Sequence, residues 1–342
     1  MISVYDDGAV SLAALERRRV VVVGYGNQAR SHALNLRDSG VPVVVALRPR
    51  SPSAERARRD RFSPVTLREG ARRAGVLALL IPDESHAAVY RSVASALPRG
   101  AALCVAHGFS LVFGGLAPRP DLDVFLVAPS GPGTELRDAF VRGGGIPALV
   151  AVAQDATGAA ETLALAYAKA LGCTRAGAVR TTVREETVVD LFGEQASLCG
   201  GVSALVSAAH RTLVQAGYPR ELAYLECVQQ LKLTVDLLSE RGPDGLREAI
   251  STTALFGMRE TERALARSDL GRIFRRRLEE IEDGSFSRRF LRAVRGGALR
   301  LNFSRPRSDK EEELDATGRI VRTLVARGRR ERKADARPRK RA

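Results

Sequence analysis

Glu186, Asp190 and Glu194 recur every four residues through EETVVDLFGEQASLCGG. On a helix that spacing stacks three carboxylates on one face, about one turn apart. Charges of one sign placed this way repel unless a cation sits among them. A solvated helix face is the competing reading. Leu191, Phe192, Ala196 and Leu198 flank the ladder, and this apolar setting argues for a held charge instead.

A second constellation is Gly24-Tyr25-Gly26-Asn27-Gln28-Ala29, which directly follows the apolar run RVVVVG. Strand, Gly-x-Gly-x-x-Ala, then helix is the dinucleotide fingerprint in its required context. Gly24 allows a tight turn, and Gly26 lets backbone approach a pyrophosphate at the helix N-terminus. The end of the next apolar run, VPVVVAL, chooses between cofactors. A carboxylate there would hold a ribose 2′-hydroxyl. The chain instead has Arg48, Arg50, Ser51 and Ser53, with no acid before Glu55. Guanidinium and hydroxyl groups suit a 2′-phosphate, so the expected cofactor is NADPH.

Elements must hold these residues in place. To about residue 180, strand-like runs (RVVVVG, VPVVVAL, VLALLIP, AALCVAHG, DVFLVAPSGPG, IPALVAVAQD) alternate with helical stretches. That alternation predicts an α/β, Rossmann-like, doubly wound parallel sheet over 1–180. Beyond Thr181 the strands stop. Helical stretches are expected at roughly 186–217, 219–240, 243–254 and 258–282, making 181–325 an all-α domain.

Composition narrows the class. No apolar run approaches the ~18 residues of a membrane span, and the N-terminus lacks the pattern of a signal peptide. Cys104, Cys173, Cys199 and Cys227 are widely spaced without a CxxC, which fits buried free thiols in a reducing cytoplasm. The net charge is +15, but Arg327–Ala342 carries nine Lys/Arg against Glu331 and Asp335. Nearly half of the excess therefore lies in a segment without apolar periodicity. Residues 326–342 read as a disordered basic tail, with at most weak nucleic-acid contacts.

Taken together, GYGNQARSHALNLRDSG, LLIPDE, AHGFSLVFG, DVFLVAPSGPG, QDATGAAETLALAYAKALGCTRAG, EETVVDLFGEQASLCGG, AGYPRELAYLEC and LKLTVDLL resemble the short form of ketol-acid reductoisomerase. The resemblance runs from about residue 15 to 290. It implies a knotted helical C-terminal domain and a homodimer or higher oligomer with active sites shared between subunits. It implies that Asp190 and Glu194 bind Mg²⁺, with Glu186 nearby and the positions of Glu226 and Gln230 supplied by the partner. His107 and Ser251 match active-site residues, and Gly133 lies in the segment matching the family's Lys-Gly-Pro-Gly. The implied substrate is a small 2-keto or acetohydroxy acid.

Four departures fall on these motifs. Ser130 stands where the family has lysine, and Gln230 where it has a second carboxylate. Ser251-Thr-Thr-Ala-Leu255-Phe256 makes a polar pair apolar, and Arg30 enters the helix after the glycine turn, near its nicotinamide side. An isomeroreductase, a paralogue that reduces another substrate without isomerisation, and a non-catalytic NADPH-binding homologue are all compatible with this pattern.

Overall fold

The computed structural model describes residues 2–297 and 314–323. The 326–342 tail and its expected disorder lie outside the described residues. The described residues form two compact units, one of residues up to 190 with 282–295, the other of 191–281 with 296–297 and 314–323.

The first unit is built on nine strands: β1 (Val4–Tyr5), β2 (Val20–Val23), β3 (Val43–Leu47), β4 (Val65–Thr66), β5 (Val76–Leu79), β6 (Ala102–Val105), β7 (Asp123–Pro129), β8 (Ala148–Gln154) and β9 (Ala178–Arg180). Their order is β1-β9-β8-β7-β6-β5-β2-β3-β4. From β4 to β7 all neighbours are parallel, as helical crossovers require. β2, β5 and β6 are buried along their whole length, because helices cover both faces. Val20 and Val22 join one core and Val21 and Val23 the other, by the two-residue period of a strand.

The sheet is not wholly parallel. β8 runs antiparallel to β7, pairing Ala148 with Pro129, and β1 runs antiparallel to β9. The helix Gly133–Val141 and the turn RGGGIP return the chain to the end of the sheet that it left, where Ser130 N–H donates to Pro147 O. A helical pattern between two strand patterns does not reveal that reversal.

The second unit is helical. After Val183–Gly193 come a π-helical turn at Glu194–Leu198 and the helix Gly200–Gln215. Arg220–Tyr224 leads through a second π-helical turn, Leu225–Gln229, into Leu231–Ala249. That last helix is kinked at Gly242 (φ 68°), beside Pro243. Thr252–Ala266 and Leu270–Glu282 follow. The expected helix over 243–254 is divided: Ile250 is extended, and Ser251 starts a new helix by accepting from Ala254 N–H at 3.2 Å.

Candidate active site

The parallel strands deliver their C-terminal ends to one edge of the sheet, where open α/β folds bind ligands. Gly24 follows β2 there, Asp83 follows β5, His107 follows β6 and Ser130 follows β7. The strand order reverses at β2, which lies between β3 and β5, and this is the topological switch point.

Gly24 has φ 96°, and a Cβ on it would lie 2.7 Å from Leu80 O, so only glycine makes this turn. Gly26 caps the helix Asn27–Asp38 in an extended conformation, and nothing lies within 4 Å of where its Cβ would be. That space and the helix N-terminus fit a pyrophosphate. The turn is locked to the Ser130–Gly133 loop. Gln28 Nε2 donates to Gly131 O at 2.9 Å, and Ser31 Oγ donates to Gly133 O at 2.5 Å. A Cβ on Gly133 would come within 2.5 Å of Asn27 O. Gln28 Oε1 is buried without a protein donor, an acceptor that a bound cofactor could satisfy.

Tyr25 is buried beneath the turn, and its hydroxyl donates to Asp60 Oδ2 at 2.9 Å. Its side chain braces the loop from behind. Arg48 and Arg50 are exposed, Ser51 and Ser53 half-buried, in a turn closed by Ser51 N–H to Arg48 O.

The second cluster lies at the same edge. Glu186 is only 2 % exposed. Its Oε1 accepts from His107 Nδ1 and its Oε2 from Gly108 N–H, both at 2.9 Å. Thr187 Oγ1 adds a 3.3 Å contact. Asp190 Oδ2 lies 3.4 Å from His107 Nδ1. One ligand atom each from His107, Glu186 and Asp190 falls within 4.8 Å of the others. Two of the three stacked carboxylates thus gather on an imidazole. Burial would lower the His107 pKa, but the hydrogen bond and charge of Glu186, with Asp83 and Asp190, lift it to about 9.

Asp83 was not singled out from the sequence, although it stands in LLIPDE at the end of a buried strand, a position where α/β sheets place functional groups. Burial pushes its pKa up to about 6 against the pull of His107, with Glu84, Glu186 and Asp190 adding to the rise. Asp83 Oδ1 lies 3.9 Å from His86 Nδ1. His86 is itself held by Ser110 Oγ at 2.8 Å and Ile81 O at 2.9 Å. Because Ile81 O can only accept, the His86 proton sits on Nε2 and Ser110 donates to Nδ1. Burial keeps that ring neutral, with its pKa near 4.

The helical unit carries the other expected residues. Glu194 opens the first π-helical turn and Glu226 lies in the second, both exposed, with Gln230 just after it. π-Turns recur at functional sites, because the extra residue re-aims side chains. Ser251 Oγ is engaged as the helix cap. Hard oxygen donors at Asp190, Glu194 and Glu226 suit Mg²⁺, whereas the Gln230 amide offers oxygen without charge. Arg30, in the helix after the glycine turn, pairs with Asp60, its Nε 2.6 Å from Asp60 Oδ2.

Residues 14–177 match the NADPH-binding domain of acetohydroxy acid isomeroreductase, and residues 183–327 the C-terminal domain of ketol-acid reductoisomerase. An NADH-preferring ketol-acid reductoisomerase from an uncultured archean is similar at 36% identity and TM-score 0.89, covering 94% of this chain and 99% of that one. A semialdehyde dehydrogenase NAD-binding protein from Cupriavidus necator is 20% identical with TM-score 0.60, over 77% of this chain and 98% of that one. A pyrroline-5-carboxylate reductase from Coxiella burnetii is 14% identical with TM-score 0.56, over 78% and 98%. These last two share the fold alone. With both halves of its sequence matched to one family, the chain belongs to the ketol-acid reductoisomerase oxidoreductases.

Proposed function

We propose that the protein is an NADPH- and Mg²⁺-dependent reductase of a 2-keto or acetohydroxy acid, working as a dimer or larger oligomer with shared sites. The observation that carries this reading is the His107–Glu186–Asp190 cluster at the same sheet edge as the glycine turn. When bound, NADPH supplies hydride and Mg²⁺ polarises the substrate oxygens. Glu186 holds the Nδ1 side of His107, so the charged ring can offer Nε2–H to a substrate oxygen that gains charge. Asp190 and Glu194 would hold one ion, and the partner subunit's helix would complete a second site. Leu198, Leu205, Leu222, Leu233 and Phe256 are exposed on the helical unit, which supports burial against another copy. The knotted topology is carried over from the family on the same footing.

Arg48, Arg50, Ser51 and Ser53 support NADPH, whereas the archaeal relative prefers NADH. A lower dissociation constant for NADPH than for NADH is expected, and equal values would remove this part of the proposal. The four free cysteines fit a reducing compartment, which we take to be the cytoplasm. Among the described residues no helix is long and apolar enough to cross a membrane.

A second reading, reduction with impaired isomerisation, is favoured by Ser130 and Gln230. Losing a carboxylate weakens a two-ion site, because adjacent dications depend on total ligand charge. Alkyl migration needs both substrate oxygens polarised, while hydride transfer needs mainly one. NADPH oxidation with 2-acetolactate, and separately with 3-hydroxy-3-methyl-2-ketobutyrate, with and without Mg²⁺, tests both readings. Turnover of both compounds supports isomeroreductase, turnover of the second alone supports the reductase, and turnover of neither points to a non-catalytic or differently specific homologue. Gln230→Glu with Ser130→Lys should then raise activity on 2-acetolactate.

A further inference from the structure

The glycine turn and the segment after β3 are joined by a set of contacts that the nucleotide fingerprint does not require. Arg30, in the first turns of the helix Asn27–Asp38, forms two parallel hydrogen bonds with Asp60: Nε to Oδ2 at 2.6 Å and Nη2 to Oδ1 at 2.9 Å. Tyr25 Oη donates to the same Oδ2. Arg37, two turns further along that helix, donates from Nη1 to Asp60 O at 2.6 Å, and its guanidinium lies 4.9 Å over the Phe62 ring. Phe62 meets Tyr25 edge-on with centroids 5.9 Å apart. Hydrogen bonds from Arg30 hold the Asp60 carboxyl below the usual carboxylate range, against its burial and with help from Tyr25.

Asp60 caps the short helix Ala54–Arg59, and that helix follows the Arg48–Ser53 turn. The turn thus runs between β3 and a helix that is held by Ala57 in the core and by the Asp60 anchor at its C-terminal end. Between them, Arg50 adopts a left-handed conformation (φ 55°), and Arg61 does so just after Asp60 (φ 66°). Such backbone persists in non-glycine residues only where the surroundings hold it. The anchor is not buried deeply, with the Arg30 and Asp60 side chains 34% and 17% exposed. A bidentate guanidinium–carboxylate pair keeps directionality even at such a site.

From this arrangement we infer that the Arg30–Asp60 pair, braced by Tyr25, positions the Arg48–Ser53 turn for the adenosine half of the cofactor and so sets the discrimination between NADPH and NADH. Neither member touches the nucleotide. Arg30 acts through Asp60, and Asp60 acts through the helix Ala54–Arg59. The inference rests on the dinucleotide reading of the glycine turn.

A double-mutant cycle on the full-length protein tests it, with 2′,5′-ADP as the probe of the adenosine half and reduced nicotinamide mononucleotide as the probe of the other. The chain contains no tryptophan, so calorimetry or the intrinsic fluorescence of NADPH is the readout. Arg30→Ala and Asp60→Asn should each weaken 2′,5′-ADP binding by about 5- to 20-fold, and the double variant by the same factor and not its square, as coupled partners do. Nicotinamide mononucleotide binding should be unchanged. Exchanging the charges in Arg30→Asp/Asp60→Arg should restore part of the loss. Asp60→Asn binding NADPH as well as or better than the parent would overturn the inference, because Arg30 would then be a direct phosphate ligand. Multiplicative effects, or equal weakening of both half-cofactors with a matching fall in Tm, would also overturn it. If the parent does not discriminate NADPH from NADH at all, the phosphate reading fails. The positioning role is then read with ADP-ribose, where unchanged binding by both single variants overturns it.

Discussion

The sheet unit and the helical unit satisfy their apolar residues in different ways. In the sheet unit the strands and the helices on both faces bury nearly every large apolar side chain that they carry, from Leu15 to Tyr167. In the helical unit Leu191, Tyr224, Leu246 and Ile281 are buried, while Leu198, Leu205, Leu222, Leu233, Leu238 and Phe256 stand exposed. Exposed apolar side chains gathered on one unit commonly mark an interaction surface. The lesson is that one unit completes its own core, and with it the His107–Glu186 pair, while the other leaves apolar side chains uncovered, as the proposed burial against a second copy requires.

The largest effect should come from damage inside the self-sufficient unit. A Cβ at Gly108 would fall 2.1 Å from Thr187 Oγ1 and 2.9 Å from Val183 O, displacing the helix that carries Glu186 and Asp190. Gly108→Ala should cost several kcal/mol, on the scale of severe overpacking (about 1–3 kcal/mol or more), and should abolish turnover. Thermal unfolding and activity assays check this, and the loss should not depend on protein concentration.

Damage to the helical unit should behave differently. Leu222→Asp with Leu233→Asp should shift the protein toward monomer and make its Tm depend on concentration, as linked association requires. Sedimentation measures the first and calorimetry the second. A parent that is already monomeric would remove the contrast between the units.

An intermediate effect concerns pH. The folded-state pKa of His107, at about 9, lies above its unfolded value of 6.5. Its contribution to stability is therefore fully present below about pH 6.5 and lost as the pH rises through 9. The stability difference between the parent and His107→Gln should shrink over that window, by an amount on the order of 2–3 kcal/mol. A difference that is flat from pH 6 to 10 would contradict the His107–Glu186 pairing.

What the sequence disclosed follows the same division. The glycine turn was readable because each glycine answers to a local requirement, and the strands because VVVV and VLAL have no other use than a buried sheet. The Glu186–Asp190 spacing put both carboxylates on one helix face, and the fold brings both to His107. Partnerships set by the fold were not readable. Asp60 lies thirty residues from Arg30, and no spacing rule connects them. Asp83 looked like the end of a strand. The two π-helical turns leave no trace in the apolar pattern, because one extra residue in a turn changes neither composition nor average period. The reversal of β8 depends on where RGGGIP turns, and a loop's composition does not encode its direction.

The smallest effect is local to the helical unit. Ser251→Ala removes the side-chain acceptor of Ala254 N–H and should cost about 1 kcal/mol. A drop in turnover much larger than the loss of stability would show that Ser251 also meets the substrate, as its family resemblance implies.

The contrast between the units is tested most directly by complementation. Asp190→Asn and Glu226→Gln are made on separately tagged chains, co-expressed, and the heterodimer is isolated by both tags. If each site draws Asp190 from one subunit and Glu226 from the other, one site carries both changes and the other carries none. The heterodimer should then recover about half of the parental NADPH-dependent turnover, while each homodimer stays near background. A heterodimer no more active than the two homodimers would contradict the account, because each chain would then be supplying its whole site alone.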